Sequence, residues 1–140
     1  MMDKVFLDTD VILDLNLKRE PYFLNAVQVF KASRRFQYST SSLSIANAFY
    51  FIRKAYDTRQ AKHDLEEISH HLKILDVRES TIHKALKILF DSFNDFEDAV
   101  QYNACLENNV ECIITRNGKD FSNASIPVYS PKLFLEMFAI

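Results

Sequence analysis

The chain reads as an α/β protein, a three-layer α/β/α sandwich around a central, mostly parallel sheet of four or five strands. Three observations predict it. Short apolar strands alternate with amphipathic helical segments from one end to the other. The strands KVFL at 4–7 and ECIIT at 111–115 are continuously apolar rather than alternating, as strands covered on both faces are. The 140 residues contain no linker, repeat or low-complexity segment, so a single domain spanning 1–140 is expected.

The elements follow in order. Lys4–Leu7 is the first strand, and Thr9–Lys18 a helix capped by Asp8 or Thr9. Glu20-Pro21 ends it, because the residue before proline avoids the helical region. Phe23, Ala26, Val27 and Phe30 repeat at helical spacing within Tyr22–Arg35. Phe36–Ser39 is a second strand. Thr40 or Ser41 caps the helix that carries Leu43, Ala46, Ala48, Phe49, Phe51 and Ile52. Asp57 or Thr58 opens another, with Leu65, Ile68 and Leu72 inward. Lys73–Val77 is strand-like, and Ser80–Phe90 an amphipathic helix. Asn94 or Asp95 starts DFEDAVQYNACLENN, with Phe96, Ala99, Val100, Asn103 and Ala104 toward its buried side. Glu111–Thr115 is a strand, Asp120-Phe121 a loop and Pro127–Tyr129 a last strand, after which Pro131 opens a terminal helix.

Composition narrows the function. A net charge of −2 argues against a broad basic surface that binds nucleic acid by itself. It leaves room for a nuclease in which bound cations supply positive charge locally. With Gly118 the only glycine, no Gly-rich phosphate loop can be built, which excludes Rossmann and P-loop readings. No apolar run approaches the roughly 18–20 residues of a membrane span. The opening MMDKVFLDTD carries acids in its first apolar stretch and lacks a small-residue cleavage site, so no signal peptide is expected. Cys105 and Cys112 form no metal or redox motif, and a cytoplasmic, reducing setting is the expectation.

The acids carry the chemistry. Ligands of parallel sheets bind outside the carboxyl ends of the strands. Asp8 stands at the carboxyl end of the first strand, with Asp10 just after it as a buttress. Thr115, Asn117 and Asp120 follow the carboxyl end of ECIIT. Asp95 and Asp98, at i and i+3, share a face at a helix start. Each alone has an ordinary structural explanation: a cap, a dipole partner, a loop acid. Asp14, a turn and a half past Asp8, is expected to be a solvated or capping group. The gathering of carboxylates at one sheet edge is what points to function. Like charges so placed repel unless a counter-charge joins them. Mg²⁺ or Mn²⁺ takes oxygen ligands, can activate water and can clamp a phosphodiester.

With those residues in view, the chain resembles the PIN domain family of metal-dependent ribonucleases, which includes the VapC-type toxins of bacterial toxin–antitoxin pairs. FLDTDVILDL is similar to the family's opening: a strand ending in Asp, then Thr, then Asp or Asn, then an apolar run. DFEDAVQYNACLENNVECIITRNGKDF is similar to its second half, and IPVYSPKLFL to its closing strand and helix. The resemblance implies that Asp8 and Asp98 bind metal, with Asn117 and Asp120 at a third metal-facing loop. It places Thr115 near metal or phosphate, with Asp95 and Asp10 as neighbouring acids. Asp8, Asp98 and Asp120 would then serve catalysis. One departure stands out. In TSSLSIANAFYFIRK, Asn47 occupies the position where the family carries Glu, which implies weaker metal binding or one ion rather than two. Arg116 and Lys119 flank the acidic loop and are candidates for binding RNA, and Lys18 and Arg19 end the first helix. His63, His70, His71 and His83 lie away from the acids.

The resemblance further implies an RNA substrate, a small antitoxin partner and a homodimer, for which the aromatic residues Tyr22, Phe23, Phe30, Phe49, Tyr50 and Phe51 offer surface. The alternative reading is a PIN-like module that binds RNA or protein without cutting. LDTDV also fits the opening motif of haloacid-dehalogenase-type phosphatases, but that fold needs Gly-containing turns. A response-regulator receiver would need Lys before Pro after a late strand, and here Pro131 precedes Lys132.

Overall fold

The computed structural model describes residues 4–140. Five parallel strands form one sheet: β1 (Lys4–Leu7), β2 (Gln37–Ser41), β3 (Lys73–Leu75), β4 (Cys112–Ile114) and β5 (Val128–Tyr129). Their order across the sheet is β3-β2-β1-β4-β5. The chain builds outward from β1 to β3, then crosses back to lay β4 on the other side of β1. That reversal makes the crevice above β1 and β4 the switch point at which ligands of such sheets bind. The register pairs Leu7 with Ile114, so Asp8 and Thr115 emerge side by side at the carboxyl edge.

Seven α-helices cover the sheet among the described residues: α1 (Thr9–Asn16), α2 (Phe23–Lys31), α3 (Ser42–Ala55), α4 (Thr58–Ser69), α5 (Glu79–Ile88), α6 (Phe96–Glu107) and α7 (Pro131–Met137). Local chemistry starts most of them. The side chains of Asp8, Ser41, Asp57, Asp95 and Ser130 each accept a first-turn backbone N–H. Pro131 takes the first turn of α7, where its missing N–H costs nothing.

Alternation along each strand divides the core. Val5, Leu7, Cys112 and Ile114 face α2 and α7, meeting Val29, Phe36, Tyr38 and Phe134. Phe6 and Ile113 face the opposite layer, meeting Ala85, Phe93, Val100 and Tyr102 of the α5–α6 side. A third cluster joins α1 to α3 and α4 through Ile12, Leu13, Ala48, Ile52, Leu65 and Ile68. Glu107 locks α5 to α6. It accepts hydrogen bonds from Ser80 at 2.6 Å, from Thr81 and from Lys84, and these hold its carboxyl down at about 2.

Several boundaries differ from the pattern-based expectation. Helix α2 stops at Lys31 instead of Arg35, where the chain turns so that Phe36 can enter the core. The third strand ends at Leu75, because its only ladder partner, β2, ends at Ser41 opposite it. Residues 118–121 form a 3₁₀ turn rather than an irregular loop. Phe96, the first residue of α6, is 39% exposed, not inward. Asp14 is not solvated: it is buried within α1 and paired with Arg116.

Candidate functional site

Asp8 is the last residue before the chain turns from β1 into α1. Its backbone N–H continues the sheet ladder to Ile114 O at 3.0 Å. Its carboxylate accepts from Thr9 N–H at 2.8 Å and from the Thr115 hydroxyl at 2.8 Å. Both of its oxygens are thus fixed by neighbours on β1 and β4. Asp10, one residue into α1, is a structural partner of the 115–117 loop. One oxygen, Oδ2, accepts from Arg116 N–H at 3.0 Å and from the Asn117 amide at 3.1 Å. The other, Oδ1, is buried with no hydrogen-bond partner among the described residues.

From the far side, α6 brings two more acids. Asp95 caps the helix, accepting from Asp98 N–H at 3.0 Å. Asp98, almost a full turn on, faces the same cleft as Asp8. A cleft of about 330 Å³ opens between these elements. Asp8, Asp10, Asp95, Asp98, Asn117 and Asp120 all line it, together with Arg19, Phe51 and Glu97. Acids spread over more than a hundred residues of sequence therefore share one concavity.

Electrostatics records the crowding. Burial, then the charges of Asp95, Asp8, Asp120 and Glu97, push the Asp98 carboxyl up to about 8. Burial and the adjacent Asp10 raise Asp8 to about 7, against the hydrogen bonds from Thr115 and Thr9. Asp10 is raised as well, chiefly by burial, and Arg116 opposes the rise. A carboxyl that prefers its proton near neutrality is one whose charge lacks compensation.

Among the described residues, no three His, Cys, Asp or Glu side chains already converge as a closed metal cage. The donor set still fits a hard divalent cation. It offers oxygen ligands alone, includes one buried oxygen with nothing to bind it, and holds carboxyls that a cation would ionise.

Other candidate residues take different places. Thr115 is buried and ties Asp8 to the Asn117 backbone, whose N–H donates to its hydroxyl at 3.1 Å. Arg116 turns its guanidinium away from the cleft, to Asp14 and the Tyr22 ring. There it lines a separate cavity of about 420 Å³. Lys119 is exposed on the 3₁₀ turn and does not line the cleft. Asn47, on α3, donates its amide to Glu97 at 2.7 Å.

Two features escaped the sequence reading. Glu97 lines the cleft although it does not share the helical face of Asp98. Beneath the cleft runs a buried polar chain. Thr9 donates to Ser44 Oγ at 2.9 Å, Gln101 donates to the same oxygen at 2.5 Å, and Ser41 donates to Gln101. This chain couples the start of α1, which presents Asp8, to the helix that presents Asp98.

The sequence profile of the PIN domain family matches residues 4–119. No curated protein matches the chain in sequence. Solved structures match in fold. VapC20 of Mycobacterium tuberculosis, a sarcin-ricin loop cleaving toxin, superposes with a TM-score of 0.73 at 17% identity, over 87% of this chain and 95% of that one. VapBC2 from Rickettsia felis, bound to a DNA fragment from its promoter, gives 0.70 at 15% identity over 90% and 97%. A toxin–antitoxin complex from Klebsiella pneumoniae gives 0.69 at 22% identity over 91% and 97%. Profile, strand order and the placement of Asp8 at the switch point agree, and the chain belongs to the PIN domain family.

Proposed function

We propose that the protein is a Mg²⁺- or Mn²⁺-dependent endoribonuclease that hydrolyses RNA phosphodiesters, and the toxin of a toxin–antitoxin pair. The observation that carries this reading is the convergence of Asp8, Asp95, Asp98 and Asp120 on one cleft, with Asp8 raised by burial and Asp10, and Asp98 by burial, Asp95 and Asp8. Such a cluster is costly as it stands and becomes favourable with a cation. Asp8 and Asp98 would hold the ion, with Asp120 and the carbonyl of Asn117 in support. When bound, the ion supplies a water of lowered pKa and neutralises charge on the phosphodiester.

The chain's own residues prepare that chemistry. Thr115 and the Thr9 N–H leave the Asp8 carboxylate one orientation. Asp10 holds the 115–117 loop against α1 through the Arg116 and Asn117 nitrogens. Arg19 brings a cation to the cleft lining, where a phosphate oxygen would meet it. Phe51 supplies an apolar wall on which a base can stack.

An antitoxin partner is supported by the relatives solved as toxin–antitoxin complexes. A homodimer is supported by Tyr50 and Tyr56, exposed on and just after α3. A cytoplasmic setting accords with a chain that has two cysteines, both buried.

The test is incubation of purified protein with a mixed RNA pool and Mg²⁺ or Mn²⁺, with EDTA and Asp98→Asn as controls. Cleavage that needs metal and is lost in the variant supports the nuclease. RNA retention without cleavage, unaffected by metal, would make the chain a binding module instead.

A further inference from the structure

We infer that Glu97, held in place by the amide of Asn47, is a cation-binding carboxylate of this cleft. The inference rests on the metal-dependent reading above and adds a residue pair to it. Glu97 belongs to the first turn of α6, one residue before Asp98. Adjacent helical residues diverge by about 100°, so Glu97 has no intrinsic reason to join Asp98 at the same cavity. What brings it there is a contact from another layer: Asn47 Nδ2 on α3 donates to Glu97 Oε1 at 2.7 Å.

The consequences are specific. An exposed glutamate otherwise samples many rotamers, and the bond from Asn47 selects one. It engages a single oxygen, and no hydrogen bond reaches Oε2 among the described residues. Glu97 lines the cleft beside Asp8 and Asp98, and its charge disfavours ionisation of both. Asn47 is the right partner because it is neutral. A carboxylate at position 47 would lie at hydrogen-bond distance from Glu97 and repel it, whereas an amide donates. Asn47 and Glu97 together thus deliver one negative charge to the α3 side of the cleft, carried on α6.

The test is calorimetric titration of Mn²⁺ into the full chain, which reads binding without any RNA. The variants are Glu97→Gln, Asn47→Ala, the double exchange Asn47→Glu/Glu97→Gln and Asp98→Asn, with Glu136→Gln on α7 as a remote charge control. Thermal melts in EDTA confirm that each variant is folded. Glu97→Gln is expected to weaken Mn²⁺ binding about tenfold or more. Asn47→Ala, which changes no charge, is expected to weaken it by about threefold or more. The double exchange swaps the carboxylate and amide across the same hydrogen bond and should bind within about threefold of the parent. Binding lost in Asp98→Asn but unchanged in Glu97→Gln overturns the assignment of Glu97 and leaves the metal site standing. An equal loss in Glu136→Gln reduces the effect to net charge and also overturns it. No Mn²⁺ binding by the parent overturns this inference and the metal-dependent reading together.

Discussion

Arg116 grips Asp14 with two nitrogens: Nε lies 2.5 Å from Oδ2, and a terminal nitrogen lies 3.1 Å from Oδ1. Asp14 is 1% exposed, and the guanidinium is stacked 3.8 Å over the Tyr22 ring. The same residue donates its backbone N–H to Asp10 in the cleft. One arginine therefore anchors the loop after β4 to α1 on two sides, and its position in the fold is that of a clasp.

Removing Asp14 leaves the partly buried Arg116 guanidinium without its carboxylate. Asp14→Ala is expected to destabilise the protein by about 2–3 kcal/mol, somewhat under the usual cost of breaking a fully buried pair because Arg116 retains solvent contact. Urea unfolding measures it. An unchanged midpoint would mean that the stacking on Tyr22 alone holds the loop.

Asp98 is expected to behave in the opposite sense. Its charge is opposed by burial and by Asp95, Asp8, Asp120 and Glu97. Asp98→Asn keeps the shape and removes the repulsion. Without metal near pH 8, its melting temperature should rise by roughly 2–4 °C. In the same variant, metal-dependent RNA cleavage should vanish. A melting temperature that falls would show that the Asp98 carboxylate is compensated within the protein itself.

The pH dependence follows from the same groups. Asp98 moves from 3.8 to about 8, and Asp8 from 3.8 to about 7. Between those limits the folded chain keeps protons that the unfolded chain has released, so its stability falls as pH rises. The melting temperature in EDTA should therefore drop between about pH 5.5 and about pH 8.5, and added Mn²⁺ should reverse the drop most strongly at the alkaline end. Glu107, held at about 2, contributes nothing to this window because its loss comes only in strong acid. A flat profile in EDTA would refute the crowding.

Gln101 is fully buried and serves both Ser44 and Ser41. Gln101→Leu fills nearly the same space but strands two hydroxyls. A loss of about 2 kcal/mol is expected in urea unfolding, at an unchanged dependence on denaturant. A neutral result would mean that Ser41, Ser44 and Thr9 re-pair among themselves.

Much of the site was legible because its signals are local. Asp8 is a carboxylate where an apolar strand becomes a helix, Asp95 and Asp98 sit at a cap, and Thr115 and Asn117 follow a buried strand. The residues that were misplaced depend on partners far along the chain. Asp14 looked solvated because Arg116, which buries it, lies 102 residues away. Glu97 was overlooked because helical periodicity turns it from Asp98, and only Asn47, 50 residues earlier, draws it back. Gln101 carries no local signal, because its partners Ser41 and Ser44 lie 60 and 57 residues away. The end of the third strand was overestimated for a related reason: apolar pattern runs past the point where its ladder partner stops, at Leu75 against Ser41.

The bond from Thr115 to Asp8 spans 107 residues of sequence. During synthesis β1 emerges more than a hundred residues before β4, which completes its pairing, and before the loop that orients Asp8. A parallel sheet cannot close this distance until both strands are present, and such long-range closure is slow. Until then the nascent chain carries Asp8 without a site around it. Whatever this cleft does, it can begin only after β4 has been made and has paired with β1.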